Sequence, residues 1–142
     1  MRKGFSLITA IILLVAIATL MALMLSFSSQ TAKQTGDIYL KEEAELLAKS
    51  ATEFALLAIS GHDHNSSCVE NINMRYPAVN PRYDINMTLY YIGNNMPCNS
   101  SNELADNIAT ADSNGTVIID TVVTNTDSDE PIRFHRRTIQ KP

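Results

Sequence analysis

Apolar and polar positions follow three successive rhythms along this chain. From Phe5 to Ala32 no Asp, Glu, Lys, Arg or His occurs. A helix needs about 20 apolar residues to cross a bilayer, and Phe5–Phe27 meets that length with Leu, Ile, Ala and Met throughout. Beyond Ala32 the pattern changes to Leu40, Ala44, Leu47, Ala51, Phe54 and Ala58. That alternation of four- and three-residue steps traces one face of an α-helix. Lys41, Glu42, Glu43, Glu45, Lys49 and Glu53 fill the other sides, and Glu45 with Lys49 makes a favourable i,i+4 pair. One helix from Phe5 to about Ile59 is the simplest reading, and it would be about 80 Å long. Gly36, within Gln34-Thr35-Gly36-Asp37, is the weak point, marking a bend or a break with Asp37 as N-cap. Ser60-Gly61 is the expected stop, with Gly61 as the C-terminal cap.

From His62 on, the period shifts toward two. Tyr83, Ile85, Met87, Leu89 and Tyr91 alternate with Asp84, Asn86, Thr88 and Tyr90, the clearest strand in the chain. Val69–Tyr76 is a weaker one, with Ile72, Met74 and Tyr76 on one face. Pro77-Ala78-Val79-Asn80-Pro81 reads as the turn after it. Thr116–Thr124 is rich in Val and Ile behind Asn114-Gly115. Ile132–Ile139 is the fourth strand, with Ile132 and Phe134 inward. Between them, 93–113 is a long polar connection with a short helix expected near Asn102–Ala109. The fold class is therefore α+β: a long N-terminal helix packed on a small antiparallel sheet of about four strands.

Composition narrows the function classes. The net charge is −4, and the short Arg133, Arg136, Arg137 cluster is the only basic concentration, so no nucleic-acid partner is expected. Nucleophile elbow, phosphate loop, paired Cys ligands and dinucleotide fingerprint are all missing from the sequence, and the chain does not read as an enzyme. Cys68 and Cys98 both follow the apolar segment. If that segment carries the C-terminal part across a membrane, they enter an oxidising space and pair.

The N-terminus separates three uses of an apolar segment. Arg2 and Lys3 precede it, which keeps the N-terminus cytoplasmic and sends the C-terminal part outward. A cleaved secretory signal would use Ala16-Ile17-Ala18, but hydrophobicity runs straight on through Leu20, Met21, Leu23, Met24 and Leu25. The third use begins at Gly4-Phe5. A short basic leader ending in Gly, then Phe, then an unbroken apolar helix that becomes amphipathic, resembles the type IV pilins and the pseudopilins of type II secretion. The likeness covers Met1 to Ile59.

That resemblance implies a leader 1–4, a long helix 5–61 whose 5–27 part spans the membrane or fills a filament core, and an extracytoplasmic β-rich domain 62–142. It implies a cut between Gly4 and Phe5 by a prepilin peptidase, with methylation of Phe5. Phe5, Leu7, Ile8, Thr9, Ile11 and Leu14 would lie in the filament core. The implied partners are other pilin or pseudopilin subunits, the peptidase and an inner-membrane assembly platform. The implied location is the bacterial inner membrane, single-pass with the C-terminal domain periplasmic, and then the pilus or pseudopilus. Most such subunits carry Glu at the fifth residue after the cut, where it meets a neighbour's N-terminal amine. Thr9 stands there instead. A subunit without that acid resembles the tip or initiator minor subunits, which have no neighbour above. A signal-anchored surface binding module outside any filament is the alternative.

Few other residues suggest chemistry. His62-Asp63-His64 offers zinc ligands, but so close together that they rarely converge on one ion. Asn125, Asp127 and Asp129 place oxygen ligands at alternate positions, as calcium loops do, and some pseudopilins bind calcium in C-terminal loops. Calcium is thus the one cofactor the sequence allows, and otherwise none is expected. Asp63-x-Asn65-x-Ser67, Asp84-x-Asn86-x-Thr88 and Asp112-x-Asn114-x-Thr116 resemble an acidic N-glycosylation acceptor pattern.

Overall fold

In the computed structural model the described residues are 3–63, 66–108, 115–127 and 132–141. A single helix, α1 (Lys3–Ser60), is followed by β1 (Asn71–Tyr76), β2 (Tyr83–Gly93), β3 (Glu103–Ala105), β4 (Gly115–Asn125) and β5 (Arg133–Gln140). The chain divides into two compact units, Met1–Tyr39 and Leu40–Pro142. Gly36 lies inside α1 with open space where a side chain would be. The helix runs on through Gly36, as the simplest reading has it, and the rival break with Asp37 as N-cap is not present; one Gly costs only about 1 kcal/mol against Ala.

In the Leu40–Pro142 unit, α1 covers one face of the sheet. Its buried residues are Ala44, Ala48, Ala51, Thr52, Ala55 and Ile59. This face is turned from the expected one by less than the ~100° between successive residues. Leu47 sits on its flank and Phe54 is 46% exposed. The reason is division of volume. The sheet supplies the bulk with Tyr83, Ile85, Met87, Leu89, Tyr91, Val117, Ile119 and Val123, all buried, and alanines give those side chains a flat surface to pack on. The Thr52 hydroxyl, buried in that face, donates to the Ala48 carbonyl at 2.8 Å. A polar tie also joins helix to sheet: Tyr83 Oη donates to Glu43 Oε2 at 2.8 Å.

The helix ends with the Gly61 N–H on the Leu57 carbonyl at 3.0 Å and the His62 N–H on the Ile59 carbonyl at 3.1 Å. Gly61 is not in the left-handed region, so the expected glycine cap is replaced by a tightened last turn.

Strand order is β1-β2-β4-β5, antiparallel throughout, with β3 added parallel to β2. Alternation in β2 and β4 is strict, odd positions inward. After β1 the chain turns through Pro77–Pro81, with a cis Tyr76–Pro77 bond and Asn80 at φ 54°. Asn tolerates that conformation better than most residues.

The sheet has five strands, one more than the four read from the sequence, and one expectation needs correcting: the described part of Asn102–Ala109 holds β3 and an isolated Asn94–Asn107 bridge, not a helix. Pairing decides this. β1 occupies the free edge of β2 only from Tyr83 to Thr88, which leaves the backbone of Leu89–Ile92 without a neighbour on that side. β3 fills it, with Tyr91 opposite Glu103, and burial of unpaired backbone groups is the cost avoided. Both strands begin at this junction and run away from each other. The Leu89 N–H donates to the Glu70 carbonyl at 2.8 Å and the Tyr91 N–H to the Asn102 carbonyl at 2.8 Å.

Candidate functional site

The feature that sets this chain apart from a globular domain is the first part of α1. It is long and apolar enough to cross a membrane, and none of that stretch is buried within the protein. Leu7, Ile8, Ile11, Leu14, Met24 and Phe27 are all more than half exposed. So much apolar surface requires lipid or other protein around it. Two of its hydroxyls are used internally: Thr19 Oγ1 donates to the Ala16 carbonyl at 2.8 Å, and Thr31 Oγ1 to the Phe27 carbonyl at 2.9 Å. Bonding of this kind lets hydroxyls enter an apolar medium without a lost partner. Thr9 is exposed within this stretch. Gly4 and Phe5 lie in the first turn of α1.

Cys68 and Cys98 form a disulfide, with Cα atoms 4.9 Å apart and a sequence separation of 30. It ties the segment before β1 to the loop after β2. The same junction holds Asn102, 7% exposed, whose Nδ2 donates to the Leu89 carbonyl at 2.9 Å. Tyr91 Oη donates to the Val69 carbonyl at 2.7 Å. Burial raises the Tyr91 phenol to about 12. Burial and then the Glu43 carboxylate raise Tyr83 to about 12 as well.

Two of the three calcium candidates have partners within the protein. Asn125 is 2% exposed, and its Oδ1 accepts the Asp127 N–H at 2.9 Å, closing a side-chain turn. The Asp127 carboxylate faces the Arg82 guanidinium at 3.1 Å. Asp129 lies outside the described residues. Among the described residues no cluster of three His, Cys, Asp or Glu could hold a metal. His62 Nε2 sits 3.1 Å from both the carbonyl and the hydroxyl of Ser67, a tie within the helix-to-strand connection. His64, Asn65 and Asn114 are outside the described residues, and Asn86 is exposed in mid-β2.

The outward face of the sheet carries the remaining charge. Asp120 receives both His135 Nε2 and Arg137 Nη2 from β5. Burial pushes its carboxyl up, but those two bonds outweigh it and hold the group below the usual carboxylate range. Beside them an apolar row crosses three strands: Tyr90 pairs with Ile118 and Ile118 with Ile139. Ile139 is 69% exposed. At the other edge, a groove of about 480 Å³ runs between α1 and β1, lined by Leu47, Phe54, Met74 and Tyr76.

Sequence reasoning missed Asn102, the Glu43–Tyr83 tie and the alanine face. The last was legible in the spacing of Ala44, Ala48, Ala51 and Ala55, which a search for large apolar residues passes over. Family models, curated proteins and solved structures were all compared with this chain, and none matches it.

Proposed function

We propose that this chain is a structural subunit of a pilin-like filament, a minor pilin or a pseudopilin of type II secretion, and not an enzyme. The observation that carries the reading is α1 itself. One helix begins as an exposed apolar segment able to cross a membrane and continues as the packing partner of a small sheet domain. The Gly4-Phe5 leader pattern supports it. On this reading the protein enters the bacterial inner membrane with its C-terminal domain in the periplasm. A prepilin peptidase cuts after Gly4, and an inner-membrane platform moves the subunit out of lipid. The apolar helix then packs against those of other subunits. Thr9 favours a tip or initiator position.

Mass spectrometry of the mature protein tests this. The expected product begins at methylated Phe5. An intact Met1-Arg2-Lys3 start overturns the reading and leaves a signal-anchored module, while a start at Thr19 leaves an exported domain without its anchor.

A further inference from the structure

β5 is a margin of the sheet, paired with β4 alone. The Asn125 N–H donates to the Ile132 carbonyl at 2.9 Å, which fixes the phase of that pairing. Even-numbered residues of β5 therefore spend their backbone groups on β4, and those of Arg133, His135, Arg137 and Ile139 point to the open side. The margin is also basic in an acidic chain. Its sequence RFHRRTIQ holds three arginines and no acid, whereas the whole chain has a net charge of −4. Asp120 takes His135 and Arg137. Arg133, exposed, and Arg136, half-buried, make no hydrogen bond or ion pair among the described residues. Glu45 on α1 feels the Arg136 charge but is held by Lys49 at 2.8 Å. Arg136 Nε and Thr138 Oγ1, neighbours on the inward side of β5, are buried without a hydrogen-bond partner among the described residues.

We propose that β5 takes an extended acidic segment of a partner protein as one more antiparallel strand of the sheet. The open row of backbone groups calls for an extended partner, because a strand can bond every one of them and a helix cannot. The two unpaired guanidinium groups call for carboxylates. Directly opposed residues of neighbouring strands share a face. One carboxylate therefore lies opposite Arg136 on the inward side and one opposite Arg133 on the outward side. Ile139, 69% exposed, calls for an apolar residue on the outward side. Read from its N-terminus, the partner segment is an apolar residue, an acid three residues on and a second acid three further, matching Ile139, Arg136 and Arg133 in turn. The same arginines repel β5 of a second copy, which leaves an acidic strand of different sequence as the occupant. The contact goes beyond the filament reading, since it uses the sheet margin and needs neither processing nor the apolar part of α1.

The test uses the full chain in detergent and a fluorescent synthetic peptide, Thr-Val-Thr-Thr-Glu-Thr-Val-Glu-Thr. Fluorescence anisotropy should show saturable binding. Hydrogen exchange read by mass spectrometry should slow across β5 on adding the peptide and stay unchanged in β1. Arg133→Glu, at an exposed side chain, should weaken binding roughly tenfold, and a peptide with Lys in place of its second Glu should restore it. Arg136→Glu should behave in the same way toward the first Glu. A scrambled peptide of the same composition should bind about tenfold more weakly, because its charges fall out of register. No saturable binding at millimolar peptide, equal binding of the scrambled peptide, protection in β1 instead of β5, or affinity indifferent to the charge reversals overturns the proposal. The mature N-terminus in native membranes reads the pilin-like proposal separately, so either can fail alone.

Discussion

Asn102 completes the hydrogen bonding of Leu89 at the point where two strands share one edge. Its Nδ2 lies 2.9 Å from the Leu89 carbonyl, which neither β1 nor β3 reaches. Removing that donor strands a buried acceptor, a loss of about 1–3 kcal/mol. Asn102→Ala in detergent-solubilised full-length protein should lower the urea midpoint accordingly. Asn102→Asp should do no better, since a carboxylate has no proton to give. A midpoint unchanged in both would mean the junction is satisfied another way.

The alanine face predicts overpacking. Ala48 is fully buried beneath the sheet, and Ala48→Leu should destabilise by about 1–3 kcal/mol. Phe54→Ala, on the flank of that face, should change stability by about 0.5 kcal/mol or less if Phe54 behaves as a surface residue. Thermal melts by circular dichroism decide between this face and the one built on Leu47 and Phe54, for which the order of the two effects would reverse.

Alkaline stability should be set in part by two phenols. Tyr83 and Tyr91 stay protonated to about 12 in the folded chain, whereas an unfolded tyrosine ionises near 10. Between those values the folded state holds protons the unfolded state has lost. Stability is then intact below pH 10 and falls as pH rises toward 12. Tyrosinate absorbance should show a late-titrating class that shrinks in Tyr83→Phe and in Tyr91→Phe.

Asp120 acts at the other end of the scale. Its carboxyl is held below the usual range by Arg137 and His135, after burial is overcome. Its stabilisation is present above the ordinary carboxylate pKa and is lost as pH falls through the folded value. Both partner side chains are half or more exposed, which limits the effect to about 1 kcal/mol. Asp120→Asn should flatten the acid limb of a pH–stability curve and leave its alkaline limb unchanged.

The Cys68–Cys98 bridge closes a loop whose ends are 30 residues apart, worth about 2–4 kcal/mol. Reductant should lower the melting temperature of the native protein. In the Cys68→Ser, Cys98→Ser double variant it should have no effect.

What could be read directly in the chain was whatever repeats. The uncharged run to Ala32 and the strict alternation of Tyr83–Tyr91 both impose their structure locally, and α1 and β2 follow them. β3 could not be read this way. Its three residues have no period of their own, and they are extended because Tyr91 and Ile92 need partners. The helix face was half legible, since Ala44 and Ala51 belong to both the expected stripe and the observed one. Which side of them goes inward depends on the volume of Tyr83, Met87 and Tyr91, far along the chain. The partner of Asp127 was hidden for a similar reason: Arg82, which faces its carboxylate, is distant in sequence.

The divided edge of β2 has a consequence for self-templating. A foreign strand adding to a sheet needs an uninterrupted row of free backbone groups running one way. Here that side ends in a six-residue strand and a three-residue strand heading in opposite directions from a common origin, so an invading strand would lose register where they meet. The opposite margin, β5, bristles with Arg133, Arg136 and Arg137. Crowded together, copies of this domain are poorly built to zip into cross-β fibres.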